Sequence, residues 1–214
     1  AGTDDLLSVR LSSPGYWTSY YSREHAEAAD RPSLEIAYLE PEVLVLEPEA
    51  DAYVATDSPA SNYGAEDELR VDRDSNETFL RFDRSSIPDQ TKILAVELRA
   101  VSCFGHAYGG DGNVYTHLVT DDAWDEMSIT WDSRPLAEVD PIGRWWIWYN
   151  NCEDAPKVGS QQDPALGDAV LAEAEGDGLL SVRLHSPGYW TRYYSREVAE
   201  PADRPKLILT VYLP

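Results

Sequence analysis

The sequence LLSVRLHSPGYWTRYYSREVAEPADRPKL, residues 179–207, decides the fold because the chain contains it twice. Residues 6–34 read LLSVRLSSPGYWTSYYSREHAEAADRPSL. The two copies differ only at the pairs Ser12/His185, Ser19/Arg192, His25/Val198, Ala28/Pro201 and Ser33/Lys206. One copy opens the chain and the other closes it. The chain therefore reads as the end of one repeat followed by one whole repeat.

Apolar residues alternate with polar ones along both copies, which is the pattern of half-buried β-strands. In the whole repeat, Leu180, Val182 and Leu184 share one face of a predicted strand, and Leu207, Leu209 and Val211 share one face of another. Between the copies, residues 93–101 alternate in the same way, and residues 168–173 read as a further short strand. No amphipathic helix is convincing. The sequence therefore predicts an all-β fold, an antiparallel β-sandwich, with an N-terminal β-strand extension formed by the partial repeat.

The repeat predicts three segments. Residues 1–41 are the partial repeat, which duplicates the C-terminal strands but cannot form a stable domain alone because it holds only two strands. Residues 42–49 form a connecting strand between Pro41 and Pro48. Residues 50–214 form the complete sandwich.

The charge of the chain excludes some classes of partner. Asp and Glu number 39 against 17 Lys and Arg, a net charge of −22. Nucleic acids and anionic membranes bind through cationic patches, so the sequence predicts neither as a partner. No run approaches the roughly 20 apolar residues that a membrane-spanning helix needs, so no membrane insertion is expected.

The two cysteines, Cys103 and Cys152, lie at or near the ends of two strand-like runs. In a secreted protein they would pair, and in a cytosolic protein they would be two buried thiols. We predict the disulfide. Asn76, in the sequence Asn-Glu-Thr, is a glycosylation site if the chain is exported.

No catalytic constellation stands out, and the sequence predicts a protein that is not an enzyme. The carboxylate pairs at residues 121–122 and 125–126 fit surface or turn positions better than glycosidase chemistry. Calcium is the one cofactor considered, because it takes oxygen ligands from irregular loops. Two turns offer such oxygens, and the alternative is that these residues only serve the turns. The candidate ligands are Asp51, Asp57 and Asn62 in one turn and Asp111 and Asn113 in the other.

The sequence RWWIWY, residues 144–149, places aromatic residues on both faces of one predicted strand. Trp146 and Trp148 share one face, and Trp145 and Tyr149 share the other. One set can fill the core, and the other would then stack on sugar rings or bury in a protein interface. We expect at least half of the tryptophans to be core residues.

Several motifs, in order, resemble the DNRLRE domain, the disaggregatase-related repeat group. They are Asp51-Ala52-Tyr53-Val54, Ser61-Asn62-Tyr63-Gly64, Phe79-Leu80-Arg81-Phe82-Asp83, Trp124-Asp125-Glu126 and Tyr194-Ser195-Arg196-Glu197. The resemblance covers residues 50–214, and residues 6–39 match only its final part. It implies a jelly-roll-type sandwich like that of carbohydrate-binding modules, in secreted or cell-surface proteins, where other members are structural repeats.

Two functions from different classes follow. The first is a non-catalytic secreted structural protein, with copies of itself as partners, that assembles into an extracellular filament or surface layer by strand complementation. The second is a carbohydrate-binding module of a cell-surface or polysaccharide-degrading tandem-repeat protein, with polysaccharide as its partner. The assembly residues of the first would be Leu7, Val9, Leu11, Leu34, Ile36 and Tyr38, with Val43 and Val45 of the connecting strand.

Overall fold

The computed structural model describes residues 8–15, 17–35, 39–88, 90–106, 112–146, 156–173, 176–188 and 190–214, without the side chains of Cys103 and His106. The chain divides into two compact units, Ala1–Leu39 and Glu40–Pro214. Some residues named above lie outside the described ranges, and for them the predictions stand as made. They are Leu7, Ile36, Tyr38, Asp111, Trp148, Tyr149 and Cys152. The disulfide of Cys103 and Cys152 therefore stays a prediction.

The first unit corrects the predicted strand extension. Residues 8–15 and 17–35 hold one 3₁₀ turn, Ala28–Asp30, and no strand within these ranges. Val9 and Leu11, expected on a strand, are 71% and 74% exposed. A strand needs neighbours that take its backbone hydrogen bonds, and the alternating pattern alone does not supply them.

The second unit is built almost wholly of strands. Its described elements are β1 Glu42–Leu46, β2 Ala50–Ala55, β3 Glu68–Val71, β4 Asn76–Asp83, β5 Lys92–His106, β6 Asn113–Val119, β7 Ala137–Trp146, β8 Lys157–Gln161, helix α1 Pro164–Ala172, β9 Leu179–His185, β10 Trp190–Tyr194 and β11 Lys206–Tyr212.

These strands form two antiparallel sheets that pack as a sandwich. The first sheet has the order β1–β11–β5–β10–β3, with β8 also paired to β5. The second has the order β2–β4–β9–β6–β7. The predicted all-β antiparallel sandwich is confirmed. The jelly-roll connection pattern stays a prediction.

The closing copy of the repeat supplies strands to both sheets. β9 lies between β4 and β6 in the second sheet, and β10 and β11 belong to the first. Leu180, Val182 and Leu184 are at most 1% exposed, and so are Leu207, Leu209 and Val211. All six belong to the main core cluster, as their alternation predicted.

The strand β1 corrects the role predicted for residues 42–49. Glu42–Leu46 pairs antiparallel with residues 207–211 of β11, so it is the edge strand of this chain's own first sheet. Leu44 and Leu46 pack against the core, whereas Val43 and Val45 are 62% and 52% exposed. The sandwich therefore begins near residue 40, not residue 50.

The helix α1 replaces the strand predicted at residues 168–173. The side chain of Asp163 caps it, because its Oδ1 accepts a hydrogen bond from the Ala165 N–H at 3.0 Å. Pro164 stands at the first position, where a missing N–H costs nothing. Leu166, Ala169 and Val170, spaced three and four apart, bury one face. In the described part of the chain, no helix is both long and apolar enough to cross a membrane.

We expect Leu184→Ala to lower the free energy of unfolding by about 2–5 kcal/mol, because Leu184 is fully buried on the central strand β9. Leu11→Ala changes the equivalent residue of the opening copy. Because Leu11 is 74% exposed, its loss should change the free energy by less than about 0.5 kcal/mol. Urea unfolding followed by near-ultraviolet circular dichroism measures both. Equal losses for the two variants would contradict the exposed position of the opening copy.

Candidate functional site

The exposed face of the first sheet carries aromatic and arginine side chains at adjacent positions. Along β10, Thr191 and Tyr193 are buried, and Trp190 and Arg192 alternate with them on the exposed face. Arg192 pairs across the sheet with Phe104 of β5 on one side and with Arg70 of β3 on the other. We call Arg70, Phe104, Trp190 and Arg192 the aromatic–arginine face.

The rings and guanidinium groups of this face are in contact. The centroids of Phe104 and Trp190 lie 4.4 Å apart with a tilt of 33°. The guanidinium carbon of Arg192 lies 5.8 Å from the Phe104 centroid and 5.6 Å from that of Trp190, within cation–π range. Glu68 accepts from Arg192 Nη1 at 3.3 Å and from Arg70 Nε at 2.7 Å. One carboxylate thus orients both guanidinium groups.

A cleft of about 140 Å³ opens beside this face, lined by Arg70, Asp72, Asn76, Trp190 and Arg192 among others. The two arginine side chains remain 40% and 37% exposed, so each can donate hydrogen bonds beyond its pair with Glu68. The cleft therefore offers apolar ring surface beside donors and acceptors. That combination suits a flat ligand with one apolar face and polar edges.

Of the aromatic residues in RWWIWY, the structure describes Trp145 and Trp146, and these two differ in exposure. Trp145 is 5% exposed, and its Nε1–H donates to the Tyr193 hydroxyl at 2.8 Å, so its place in the predicted contact face was wrong. Burial raises the pKa of that Tyr193 hydroxyl above its usual range. Trp146 is 47% exposed and covers Gly112, where a Cβ would lie 2.7 Å from the indole. Trp146 is the last residue of β7 and pairs with Asn113, the first residue of β6.

A second group of side chains joins three distant parts of the chain. Asp51 of β2, Glu126 of the irregular segment 121–135 and Glu197, just after β10, each place a carboxylate oxygen within 4.8 Å of the other two. We call these three residues the carboxylate cluster. Arg196 Nη1 donates to both Glu126 oxygens at 3.2 Å. Sequence reasoning missed Glu126 and Glu197 as partners of Asp51, although each stands in one of the motifs quoted above.

Asp51 is the most deeply placed member, at 1% exposure. Its Oδ2 accepts from the backbone N–H of Arg196 at 2.8 Å, while its Oδ1 is buried without a hydrogen-bond partner. Burial raises the pKa of this carboxyl well above its usual range, and the negative charges of Glu197 and Glu126 act in the same direction. The backbone N–H of Asp51 in turn donates to Glu126 Oε1 at 2.8 Å.

The segment that carries Glu126 is held by the Ser61-Asn62-Tyr63-Gly64 turn. The Asn62 amide donates to the carbonyls of Glu126 and Ile129, each at 2.8 Å. Gly64 packs so closely that a Cβ there would lie 2.1 Å from the Glu126 carbonyl oxygen. Residue 64 must therefore be glycine, because the Glu126 carbonyl leaves no room for a Cβ. Asn62 acts as a clamp, since its amide holds two carbonyls of this segment.

The three calcium ligands predicted for the first turn, Asp51, Asp57 and Asn62, do not come together. Asp51 belongs to the carboxylate cluster. The amide of Asn62 instead donates to the Glu126 carbonyl, and Asp57 is exposed. Asn113 starts strand β6 and pairs with Trp146, so it does not stand in a turn. Within the described residues, only Asp51 of the predicted set joins a group of three possible ligands.

The second sheet carries a buried polar group on its β4–β9–β6 surface. Glu77 pairs with Arg134 at 2.9 Å and with Arg183 at 3.2 Å. His117 Nδ1 lies 2.9 Å from the Glu138 carbonyl, which only accepts, so Nδ1 carries the proton. Burial lowers the pKa of His117, and the positive charge of Arg183 lowers it further.

The lowered pKa of His117 predicts a loss of stability in acid. The unfolded chain binds a proton at this histidine near pH 6.5, whereas the folded chain binds it only at lower pH. Protonation therefore favours the unfolded chain, and the free energy of unfolding should fall as the pH drops below about 6.5. The groups that face His117 are Arg183 and His185 of β9, Glu77 of β4 and the Glu138 carbonyl of β7. The free energy of unfolding of the native protein and of His117→Gln, measured from pH 7.5 to 5.5, tests this. A shallower slope in the variant is expected, and an identical slope would contradict it.

Comparison with known families bears on the aromatic–arginine face and on the carboxylate cluster. Residues 42–150 match the model of carbohydrate-binding module family 96, which is half of the chain. No curated protein matches the chain significantly. The match contains Arg70, Phe104, Asp51 and Glu126, and the closing copy of the repeat lies beyond it. It confirms the expected resemblance to a carbohydrate-binding module, while the narrower DNRLRE assignment stays a prediction. The chain belongs to carbohydrate-binding module family 96.

Proposed function

We propose that this protein is a non-catalytic module that binds a polysaccharide on the aromatic–arginine face. The observation that carries the proposal is the contact of Phe104 and Trp190 with Arg192, beside a cleft of about 140 Å³. The family match supports a carbohydrate ligand.

Sugar rings have one face of C–H groups and a rim of hydroxyls. The C–H face stacks on an indole, and the hydroxyls bond to planar groups such as guanidinium and carboxylate. Trp190 supplies the stacking surface, and Arg192 and Arg70 supply donors that Glu68 already holds in position. Because these side chains stand on paired strands, the ligand would meet a pre-organised surface and lose little affinity to ordering it.

The wider setting is part of the same proposal. A DNRLRE-type module in a secreted or cell-surface protein would meet polysaccharides outside the cell. Asn76 lines the same cleft, so a glycan attached there would compete with the ligand. The proposal therefore requires Asn76 to be unmodified in the binding form.

We expect Trp190→Ala to weaken polysaccharide binding about five- to 150-fold, if a sugar ring stacks on the indole as strongly as a nucleic-acid base does, at about 1–3 kcal/mol. Affinity gel electrophoresis and isothermal titration calorimetry with a β-glucan, a xylan and a polyuronate measure the loss. The matched control is Trp17→Ala, the equivalent residue of the opening copy, which is 91% exposed and lies on no strand.

The control should bind as the native protein does. Equal losses of affinity for Trp17→Ala and Trp190→Ala would mean that the polysaccharide binds exposed aromatic side chains without a specific site. Unchanged binding by Trp190→Ala would exclude the aromatic–arginine face as the binding site. Circular dichroism of each variant checks that the sandwich remains folded.

The second candidate function is self-association into a filament or surface layer, and the duplicated sequence favours it. Val9, Leu11 and Leu34 are between 65% and 74% exposed. Their equivalents in the closing copy, Val182, Leu184 and Leu207, are at most 1% exposed. Identical side chains gain about 1.5–3 kcal/mol each on burial, so the opening copy has an unmet tendency to bury them.

Sedimentation velocity tests this candidate across a hundredfold range of concentration. The native chain should form oligomers or filaments, and a variant with Val9→Ser, Leu11→Ser and Leu34→Ser should remain monomeric. A native chain that stays monomeric throughout, or a variant that assembles equally well, would exclude self-association through the opening copy.

A further inference from the structure

We propose that the carboxylate cluster of Asp51, Glu126 and Glu197 is a calcium-binding site that fastens the edge of the sandwich. This site is separate from the aromatic–arginine face and does not depend on the proposed function. It rests on the charge of the cluster, on an unsatisfied buried oxygen, and on the distances between the three carboxylates.

The charges of the cluster are not balanced by protein groups. Three carboxylates meet there, and Arg196 is the one cationic side chain that bonds to the cluster among the described residues. Its Nη1 is already engaged by both Glu126 oxygens and by the Glu49 carbonyl, and its Nε lies 3.8 Å from Glu197. A divalent cation would neutralise the remaining negative charge.

Asp51 Oδ1 is the independent sign that a ligand belongs here. This oxygen is buried on a residue with 1% exposure and has no hydrogen-bond partner. The carboxylate that carries it belongs to the group of three whose ligand oxygens lie within 4.8 Å of one another. An unsatisfied carboxylate oxygen in the interior is costly, so native proteins pair such atoms with a donor, a proton or a metal ion.

The distances fit one ion of calcium's size. Calcium takes oxygen ligands at about 2.3–2.6 Å, so two oxygens on the same ion lie at most about 5 Å apart. The cluster meets that limit as it stands, with all three oxygens within 4.8 Å. All three ligands are hard carboxylate oxygens, and no histidine or cysteine among the described side chains joins them, which disfavours zinc, copper and iron. Magnesium requires a tighter octahedral shell, and calcium tolerates the irregular arrangement of loop ligands.

The graded exposure of the cluster provides an entry path. Asp51 is buried, Glu126 is intermediate and Glu197 is exposed, so an ion would enter past Glu197 and reach Asp51 last. The bound ion would tie β2, the irregular segment 121–135 and the residues after β10 to one another. These parts are far apart in sequence, and the ion would add to the hydrogen bonds by which the backbone N–H groups of Asp51 and Arg196 already join them.

Calcium titration of the 214-residue chain, dialysed against EDTA, tests the site. We expect one Ca²⁺ per chain by isothermal titration calorimetry and a rise in Tm of about 5 °C or more at a hundredfold excess over Kd. Glu197→Gln should weaken Ca²⁺ binding at least tenfold, because affinity follows the number of charged ligands. Glu138→Gln, an exposed glutamate of β7 outside the cluster, is the matched control and should bind as the native protein does.

Asp51→Asn keeps the proposal testable if Glu197→Gln misfolds. The asparagine oxygen can still accept from the Arg196 N–H, so the variant should fold in EDTA and lose its response to Ca²⁺. The weakest extracellular calcium sites have a Kd of about 1 mM, so the titration extends to about 10 mM Ca²⁺. The absence of both binding heat and a change in Tm over that range would overturn the proposal. The cluster would then be held together by a proton shared between Asp51 and Glu197. Equal Ca²⁺ binding by Glu197→Gln, Glu138→Gln and the native chain would also overturn it, as general binding to an acidic surface.

Discussion

The sandwich depends on burial of the apolar side chains of its closing segment, residues 179–212. This segment provides β9, the central strand of the second sheet, and β10 and β11 of the first. Six of its aliphatic side chains are at most 1% exposed in the shared core, and each contributes about 1.5–3 kcal/mol on burial. Because one segment runs through both sheets, its packing fixes how the two sheets face each other. Trp190 and Arg192 alternate with buried residues of this segment and form the aromatic–arginine face together with Arg70 of β3 and Phe104 of β5.

Alternation along the sequence predicted much of this architecture. It identified β9 and β11 and the side chains they bury, because a strand with one buried face must alternate with period two. The same alternation in residues 8–11 produces no strand, since a strand also needs neighbours for its backbone hydrogen bonds. The helix α1 was missed because the apolar residues at 166, 169 and 170 form a pattern too short to distinguish from a strand.

The candidate sites were less predictable, because their members meet only after the sheets form. Asp51, Glu126 and Glu197 are separated by 75 and 71 residues along the chain, and no local spacing links them. Their motifs were visible in the sequence, but the role of each motif was not: Asn62 proved to be a clamp for the segment that carries Glu126. For RWWIWY, the sequence placed Trp145 and Trp146 on opposite faces, and only the packing could decide that Trp145 fills the core. Arg192 and its contact with Trp190 were not predicted, because β10 was not recognised as a strand.

The central claim is that a polysaccharide binds where Phe104, Trp190 and Arg192 meet. The most direct measurement is a titration of the ¹⁵N-labelled chain with a hexasaccharide of a polysaccharide that the protein retains, followed by heteronuclear NMR. The account predicts that the indole N–H signal of Trp190 and the backbone signals of residues 104 and 192 shift together and saturate with one affinity. Shifts confined to Trp146 or to the opening copy, with Trp190 unchanged, would contradict it.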